Sequence, residues 1–146
     1  MFGFFKPGIK NRKFDKKAIM AFNWTVDTLI RAATDLNLSD DIIGDALEEL
    51  ESDYISFIHE NSLSWIKEAN IIDDNQIALI LILRSKIDMI PASLWNPTSY
   101  RNHTEWIEIH EISNKILNSL GINKRQVDSK LINPNEILKY YKTRNK

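Results

Sequence analysis

Ile77-Ala78-Leu79-Ile80-Leu81-Ile82-Leu83 is an unbroken run of seven apolar residues, and it decides how the rest of the sequence is interpreted. A run of this length fits a buried strand or a buried helix, so its flanking residues have to distinguish them. Cap-type residues at 73–75 and the helix breaker Pro91 enclose about 17 residues, which is too long for a typical strand. The sequence therefore predicts a helix over residues 74–90. Because this helix is apolar on nearly every side, we expect the other elements to surround it.

Apolar residues at three- and four-residue steps predict further helices on both sides of this run. Their predicted ranges are 15–36, 39–60, 63–70, 104–120 and a short helix that begins at the Asn-Pro pair 133–134. Ser39 and Thr104 are suitable N-caps, and Gly121 suits the left-handed residue that often ends a helix. We therefore predict an all-α fold, a single-domain irregular bundle of five to six helices around a central apolar helix at about 74–90.

Two segments of the predicted single domain, residues 1–146, fall outside this helical pattern. Residues 1–13 are expected to form an N-terminal arm that carries basic and aromatic side chains. Residues 91–103, with the sequence PASLWNPTSYRNH, are expected to form a long loop, because each proline disfavours helix in the residue before it. Loops of this length are often functional.

The composition indicates a globular protein and limits its chemistry. The chain has 146 residues, enough for one domain with a core of its own. It contains no cysteine, which excludes disulfides and thiolate metal sites and favours a cytoplasmic location. Lys6-Pro7-Gly8 interrupts the N-terminal apolar residues before they could form the core of a secretory signal. No apolar run approaches the roughly 20 residues of a membrane span, so we expect no membrane association.

The net charge of −1 conceals an uneven distribution of charge along the chain. Residues 1–17 carry six basic residues and one acidic residue, a balance of +5. Residues 35–74 carry one basic and twelve acidic residues (−11), and residues 124–146 carry seven basic and two acidic residues (+5). Two interpretations are open. Either the basic ends fold back onto the acidic middle, or the acidic middle is a surface presented to a basic partner.

The predicted helix 39–60 is the best candidate for such an acidic surface. Several of its carboxylates lie three or four residues apart with no lysine between them, and each such pair destabilises a helix by roughly 0.2–0.5 kcal/mol. The candidate partner-binding residues are Asp45, Glu48, Glu49 and Asp53. The apolar stripe of the same helix, which includes Ile42, is expected to face the core. The alternative is a strongly solvated helix without a binding role.

Trp95 and Tyr100, inside the predicted loop, are candidate anchors for the same partner. Tryptophan and tyrosine are enriched at the energetic hot spots of protein interfaces. The alternative for Trp95 is that it tucks back into the core and holds the loop down.

The sequence lacks the signatures of the common catalytic and metal sites. Its three histidines, His59, His103 and His110, show neither Glu-x-x-His nor His-Glu-x-x-His spacing. No serine lies in a Gly-x-Ser-x-Gly elbow, and the four scattered glycines form no phosphate-binding loop. We therefore expect no catalytic residue, no metal and no cofactor, and a protein that is not an enzyme.

Three features together suggest a family: the acidic helix Ser39–Glu60, the segment that holds Trp95 and Tyr100, and the segment Trp106–Gly121. In these features the chain resembles the small all-helical immunity proteins of bacterial contact-dependent growth inhibition and related toxin–immunity systems. The resemblance implies a cytosolic protein that binds and neutralises a cognate toxin, expected to be a basic nuclease domain. A nuclease has a cationic cleft for its nucleic acid, and an acidic helix can cover that cleft.

Two other functions remain open at this point. The basic ends could serve a nucleic-acid-associated regulator, although the chain as a whole is not basic and nucleic acid is not the partner that we expect. The other is an enzyme whose site is assembled only in three dimensions, around His103, His110 and nearby glutamates.

Overall fold

The computed structural model describes residues 8–127, in which six α-helices are joined by short connections. The helices are α1 Gly8–Ala32, α2 Asp40–Phe57, α3 Glu60–Glu68, α4 Asp74–Asp88, α5 Pro97–Asn102 and α6 Thr104–Ser119, with a 3₁₀ turn at Ala92–Leu94. No strand occurs in the described range, and the predicted all-α bundle is confirmed. The first seven residues of the predicted arm and the predicted helix from 133 lie outside the described residues.

α1 lies at the centre of the bundle. α2, α3 and α6 pack around it, and its buried side chains cover more than one face. These buried residues are Ala18, Ile19, Ala21, Phe22, Thr25, Val26, Thr28, Leu29, Ile30 and Ala32. Many of them are small, which lets three neighbouring helices approach the α1 backbone closely.

The predicted central position of the helix at 74–90 is wrong. α4 covers that stretch, but it buries only one stripe of side chains. This stripe consists of Gln76, Ile80, Leu83 and Ile87. Ile82 is 48% exposed, and Met89, just beyond the helix, is 73% exposed. Since α4 packs mainly along α6, its outer side has no helix against it within residues 8–127. An apolar run can specify a helix without specifying that every side of the helix is covered.

α1 begins and ends earlier than the sequence predicts. Its backbone is helical from Gly8, so residues 8–13 of the predicted arm belong to the helix. Lysine and arginine dominate this stretch and are good helix formers, and therefore the helix extends beyond the predicted cap at Asp15. The helix ends at Ala32 instead of near Leu36, where the chain turns toward α2.

The N-terminal caps of α2 and α4 follow local sequence signals. The Ser39 hydroxyl accepts the backbone N–H of Ile42 at 3.3 Å, as predicted. Asp73 and Gln76 form a capping box, in which each side chain accepts the backbone N–H of the other residue, at 2.8 and 2.9 Å. These bonds satisfy amide groups that have no partner within the helix.

Two residues after the end of α3, and likewise after the end of α6, the backbone adopts a left-handed conformation. Asn70 has a φ of 67° and Gly121 a φ of 76°. The following residues, Ile71 and Ile122, donate their N–H groups to carbonyls in the last turn of α3 and α6, at 3.1 and 2.9 Å. Both isoleucines are buried, so each cap also anchors the departing chain in the core.

The segment 91–103 is not the aperiodic loop that the sequence predicts. It contains the 3₁₀ turn and α5. The Asn96 side chain accepts the N–H of Ser99 at 2.9 Å, and Pro97 occupies the first turn of α5. Proline disfavours helix in the residue before it but suits the first helical position, so the Asn96-Pro97 pair marks the start of a helix.

Gly121 and Gly44 allow one substitution to be tested in two opposite environments. Gly121→Ala places a Cβ on a left-handed backbone and should lower the free energy of unfolding by about 1 kcal/mol. Gly44→Ala lies within α2, where the new Cβ meets only Pro97 Cγ at 4.0 Å, and should raise it by up to about 1 kcal/mol. Urea unfolding followed by circular dichroism measures both changes. Equal effects at the two positions would contradict the assigned backbone conformations.

Candidate functional site

Five carboxylates on α2 are exposed and form no ion pair with any described residue. They are Asp41, Asp45, Glu48, Glu49 and Glu51, and we call this set the acidic face. Two apolar side chains of the same helix, Ile42 and Ile55, are also exposed, by 42% and 55%. Three of the four carboxylates predicted from the sequence therefore lie on one accessible surface.

Asp53, the fourth predicted carboxylate, is held within the protein. Its Oδ2 accepts a hydrogen bond from the Arg31 guanidinium at 2.9 Å, and each side chain is 17% exposed. Removing one partner from so enclosed an ion pair leaves the other charge uncompensated. Asp53 ties α2 to α1 and is not available to a binding partner, which corrects its predicted role.

Arg101 of α5 fixes the connection between α1 and α2. Its Nη1 donates to the Asp40 carboxylate at 2.6 Å, and its Nε and Nη2 donate to the carbonyls of Leu36 and Leu38 at 3.1 and 2.9 Å. A planar guanidinium presents these donors in fixed directions, so one side chain holds the whole connection. The acidic face is consequently carried by a helix whose N-terminal end is anchored.

Tyr100, a predicted anchor for the partner, lies in the core. Only 1% of it is exposed, and its hydroxyl donates to the Ala32 carbonyl at 2.6 Å and lies 3.3 Å from the Thr34 carbonyl. Burial raises the pKa of the phenol, which keeps it in the neutral, donating form. The prediction for Tyr100 is wrong, since its side chain offers no surface to a partner.

Trp95, the other predicted anchor, is half-buried and packs inward. Its ring meets Trp106 edge to face with 5.0 Å between centroids and stacks on Tyr54 at 6.4 Å. Its indole N–H donates to the Ile90 carbonyl at 3.3 Å. The structure therefore favours the alternative in which Trp95 holds the segment 91–103 against the core.

A cleft of about 590 Å³ lies between the C-terminal part of α1 and the N-terminal part of α2. On α2 it is lined by Ile42, Asp45, Ala46, Glu48 and Glu49. Its other walls are Ile30 and Arg31 of α1, Thr34 just after that helix, and residues 125–127, which follow α6. This volume is within the range of pockets that enclose a small ligand. Three residues of the acidic face thus border a concave site.

The two arginines that line the cleft are each bound by residues that do not line it. Arg31 is paired with Asp53. Arg125 donates from Nε to Asn114 at 2.6 Å and from Nη2 to Asn118 at 2.8 Å. Arg125, which belongs to the basic C-terminal segment, therefore binds α6 and forms no ion pair with the acidic face. Within residues 8–127, no cation is bound to the carboxylates of the cleft.

Asp27, on α1, is a half-buried carboxylate that does not line the cleft. Its Oδ1 is shielded from solvent and has no hydrogen-bond partner among the described residues. Burial raises the pKa of Asp27 to about 6, against the opposing charges of Arg31 and Lys124. Ionisation of this carboxylate is therefore less favourable in the folded protein than in the unfolded chain.

Two histidines cap helices. Nδ1 of His59 accepts a backbone N–H in the first turn of α3 at 3.3 Å. Nδ1 of His103 does the same in the first turn of α6 at 3.3 Å, so His103 and not the predicted Thr104 is the N-cap there. Both side chains complete the ends of helices.

His110 connects α6 to the end of α1. Its Nε2 lies 3.1 Å from the Thr34 carbonyl and its Nδ1 lies 3.1 Å from the amide nitrogen of Asn114. A carbonyl can only accept, so Nε2 carries the proton and Nδ1 accepts from Asn114. Burial lowers the pKa of His110, which favours this neutral ring. Both ring nitrogens are thus engaged in structural hydrogen bonds.

The described residues show neither a metal-binding group nor a membrane-spanning element. No three His, Asp or Glu residues in that range are placed to hold a metal ion. Nor does any helix in it combine the length and the apolar character needed to cross a membrane. Comparison with protein-family models, with curated proteins and with solved structures gave no match. The site is therefore interpreted from its own geometry.

Ile42 and Arg101 are the residues of this region that the sequence analysis misses. Ile42 falls in the apolar stripe of α2 when only spacing is counted. Neighbouring residues in a helix point about 100° apart, however, and the buried stripe runs through Ile43. A helical wheel centred on Ile43 would have placed Ile42 at the boundary between the buried stripe and the solvent-exposed side of α2. Arg101 gives no such signal, because its partners lie more than 60 residues away in sequence.

Tyr100→Phe tests the structural role of Tyr100. The substitution removes only the hydroxyl and leaves the buried Ala32 carbonyl without its donor. We expect the free energy of unfolding to fall by about 1–3 kcal/mol with no loss of helix content. Urea unfolding and far-ultraviolet circular dichroism measure these two quantities. A change below about 0.5 kcal/mol would show that this hydrogen bond is not important for stability.

Asp27→Asn tests the cost of burying the Asp27 carboxylate. The pKa of this group is raised from 3.8 to about 6 on folding, so the cost is present in full above pH 6. At pH 8 we expect the variant to be more stable than the wild type by about 1–2 kcal/mol, allowing for partial exposure.

The advantage of Asp27→Asn should shrink as the pH falls through 6 toward 4, because the folded wild type then takes up its proton before the unfolded chain does. Urea unfolding of both proteins at pH 4.5, 6 and 8 provides the measurement. A difference in stability that is the same at all three pH values would contradict the raised pKa.

Proposed function

We propose that this chain is a small cytosolic protein-binding module that neutralises a basic protein toxin, in the manner of the immunity proteins that it resembles. The observation that carries the proposal is the acidic face, five exposed carboxylates on one helix without an ion pair among the described residues. Like charges at this spacing cost helix stability, roughly 0.2–0.5 kcal/mol per pair. A basic partner offsets that cost when it binds.

The proposed toxin is a nuclease domain, because such an enzyme needs a cationic surface to hold its nucleic acid. A row of carboxylates on a helix can cover that surface, and opposite charge accelerates the encounter between the two proteins. Charge alone gives fast association more than it gives affinity. The exposed side chains of Ile42 and Ile55 supply apolar contact area beside the carboxylates.

The anchoring of α2 also supports a binding role. The helix is tied down by the Arg31–Asp53 pair, by the Arg101–Asp40 pair and by the Ser39 cap. A surface that is already ordered loses little conformational entropy when it binds. The acidic face can therefore act as a rigid template for its partner.

The first test is affinity capture from the native cell with the tagged full-length chain. We expect the wild type to retain one basic protein in about equimolar amount at low salt and to release it at high salt. Glu48→Lys/Glu49→Lys should abolish this retention. The matched control is Glu68→Lys/Glu111→Lys, which changes the net charge equally on exposed residues of α3 and α6. Equal loss in the two double variants, or retention by both, would refute the role of the acidic face.

Co-expression then tests neutralisation as distinct from binding. The captured protein is produced in a laboratory host with the wild-type chain, with Glu48→Lys/Glu49→Lys, or alone. We expect growth arrest when the partner is produced alone or with the acidic-face variant, and growth when it is produced with the wild type. A partner that does not arrest growth would contradict the toxin-neutralising function while leaving the binding function in place.

A further inference from the structure

We infer that the cleft between α1 and α2 is a socket for an arginine side chain of the protein partner. The inference rests on the proposed function only for the statement that the ligand is a protein. It adds a specific position within the acidic face and a chemical identity for the group that enters it. The observations that carry it are the shape of the cleft, the spacing of its carboxylates, its apolar lining and its charge.

The carboxylates of the cleft suit a guanidinium group. Asp45, Glu48 and Glu49 stand at positions i, i+3 and i+4 of α2, which places them on neighbouring parts of the helix surface. A guanidinium has five N–H donors in one plane and can bind two carboxylates at once, whereas an ammonium is a compact point charge. Such charge-assisted hydrogen bonds are about twice as strong as neutral ones.

The apolar lining of the cleft suits the stem of the same side chain. Ile30, Ala46 and Val127 line it alongside the carboxylates. The three methylene groups of arginine can pack against such residues while the guanidinium reaches the charged wall. Ile42, 42% exposed on the same wall, can contact the partner next to the inserted side chain.

The charge of the cleft also favours a cation. Its three carboxylates and the adjoining Asp53 contribute four negative charges, and Arg31 and Arg125 contribute two positive charges. Both arginines are bound by other residues, so an incoming cation does not have to displace them from the carboxylates. The balance of −2 acts inside a cleft that is partly shielded from solvent, where electrostatic interactions are stronger than on an open surface.

A fluorescein-labelled peptide of six arginines is the probe, titrated with the full-length chain at low ionic strength and followed by fluorescence anisotropy. Asp45→Asn/Glu49→Gln removes two carboxylates from the cleft and should raise the Kd about tenfold, the loss expected for hydrogen bonds to a charged group. The matched control, Asp41→Asn/Glu51→Gln, removes two carboxylates of the acidic face that do not line the cleft. It should change the Kd less than about twofold, and thermal melts verify that both variants fold.

Two further measurements locate the probe and identify the group that it inserts. Backbone amide shifts should change on addition of the six-arginine peptide at Thr34, Asp45, Glu49 and Val127. A peptide of six lysines should bind several-fold more weakly, because it lacks the planar donors.

Equal weakening in the two double variants would show that the peptide responds to diffuse charge and would overturn the socket. Equal affinity for the lysine peptide would overturn the preference for arginine. Absence of shifts in the cleft would show that it is closed to a partner, for example because the chain's own basic residues occupy it, and would also overturn the inference.

These outcomes are separable from the proposed function. If the peptide binds in the cleft but affinity capture retains no protein, the function fails and the socket stands. If capture depends on Glu48 and Glu49 but the peptide experiments fail, the acidic face stands and the socket fails.

Discussion

The carbonyl groups at the end of α1 and in the connection that follows it are the constraint on which the arrangement of the helices depends. The last carbonyls of a helix have no partner within it, and α1 ends without a glycine cap, at the start of an irregular connection. Distant side chains bind carbonyls here. The Ala32 carbonyl accepts from the Tyr100 hydroxyl, and in the connection after α1 the Thr34 carbonyl meets the His110 ring and the Leu36 and Leu38 carbonyls accept from the Arg101 guanidinium. Because all three side chains lie in α5 and α6, these carbonyls are satisfied only when the C-terminal half of the bundle has packed against them.

This constraint positions the acidic face. Arg101 reaches from the carbonyls of the connection to the Asp40 carboxylate in the first turn of α2, so the side chain that binds the connection also fixes the beginning of α2. The Arg31–Asp53 pair fixes the other half of α2 against α1. Between these two attachments lie Asp45, Glu48 and Glu49, on a stretch of helix that is held at both ends and open to solvent. The acidic face is thus held in place by contacts that residues outside it make.

Sequence patterns within one or two helical turns predicted much of this structure. The features that they missed depend on contacts between residues that are distant in sequence. Spacing and capping residues identify α2, α4 and α6, since these patterns depend on residues within one or two turns. They cannot say which apolar helix becomes central, because that depends on which small residues let neighbours approach, as the alanines of α1 do. Nor could they assign Tyr100 to the core, since its acceptors on α1 lie more than 60 residues earlier. The charge pattern named Asp45, Glu48 and Glu49, which are exposed on α2, but it gave no sign that Asp53 pairs with Arg31. Tyr100 was wrongly taken as exposed.

The carboxylates of α2 also show why four residues of similar sequence context have different roles. Asp41, Asp45, Glu49 and Asp53 follow one another at steps of four, and each step of four in an α-helix turns the side chain about 40° further around the axis. Over three steps the row turns through about 120°. Its first member points to solvent, its middle members line the cleft, and its last meets Arg31. Along this row the carboxylates change from exposed to paired. Only the two middle residues, Asp45 and Glu49, both line the cleft and have no ion pair among the described residues.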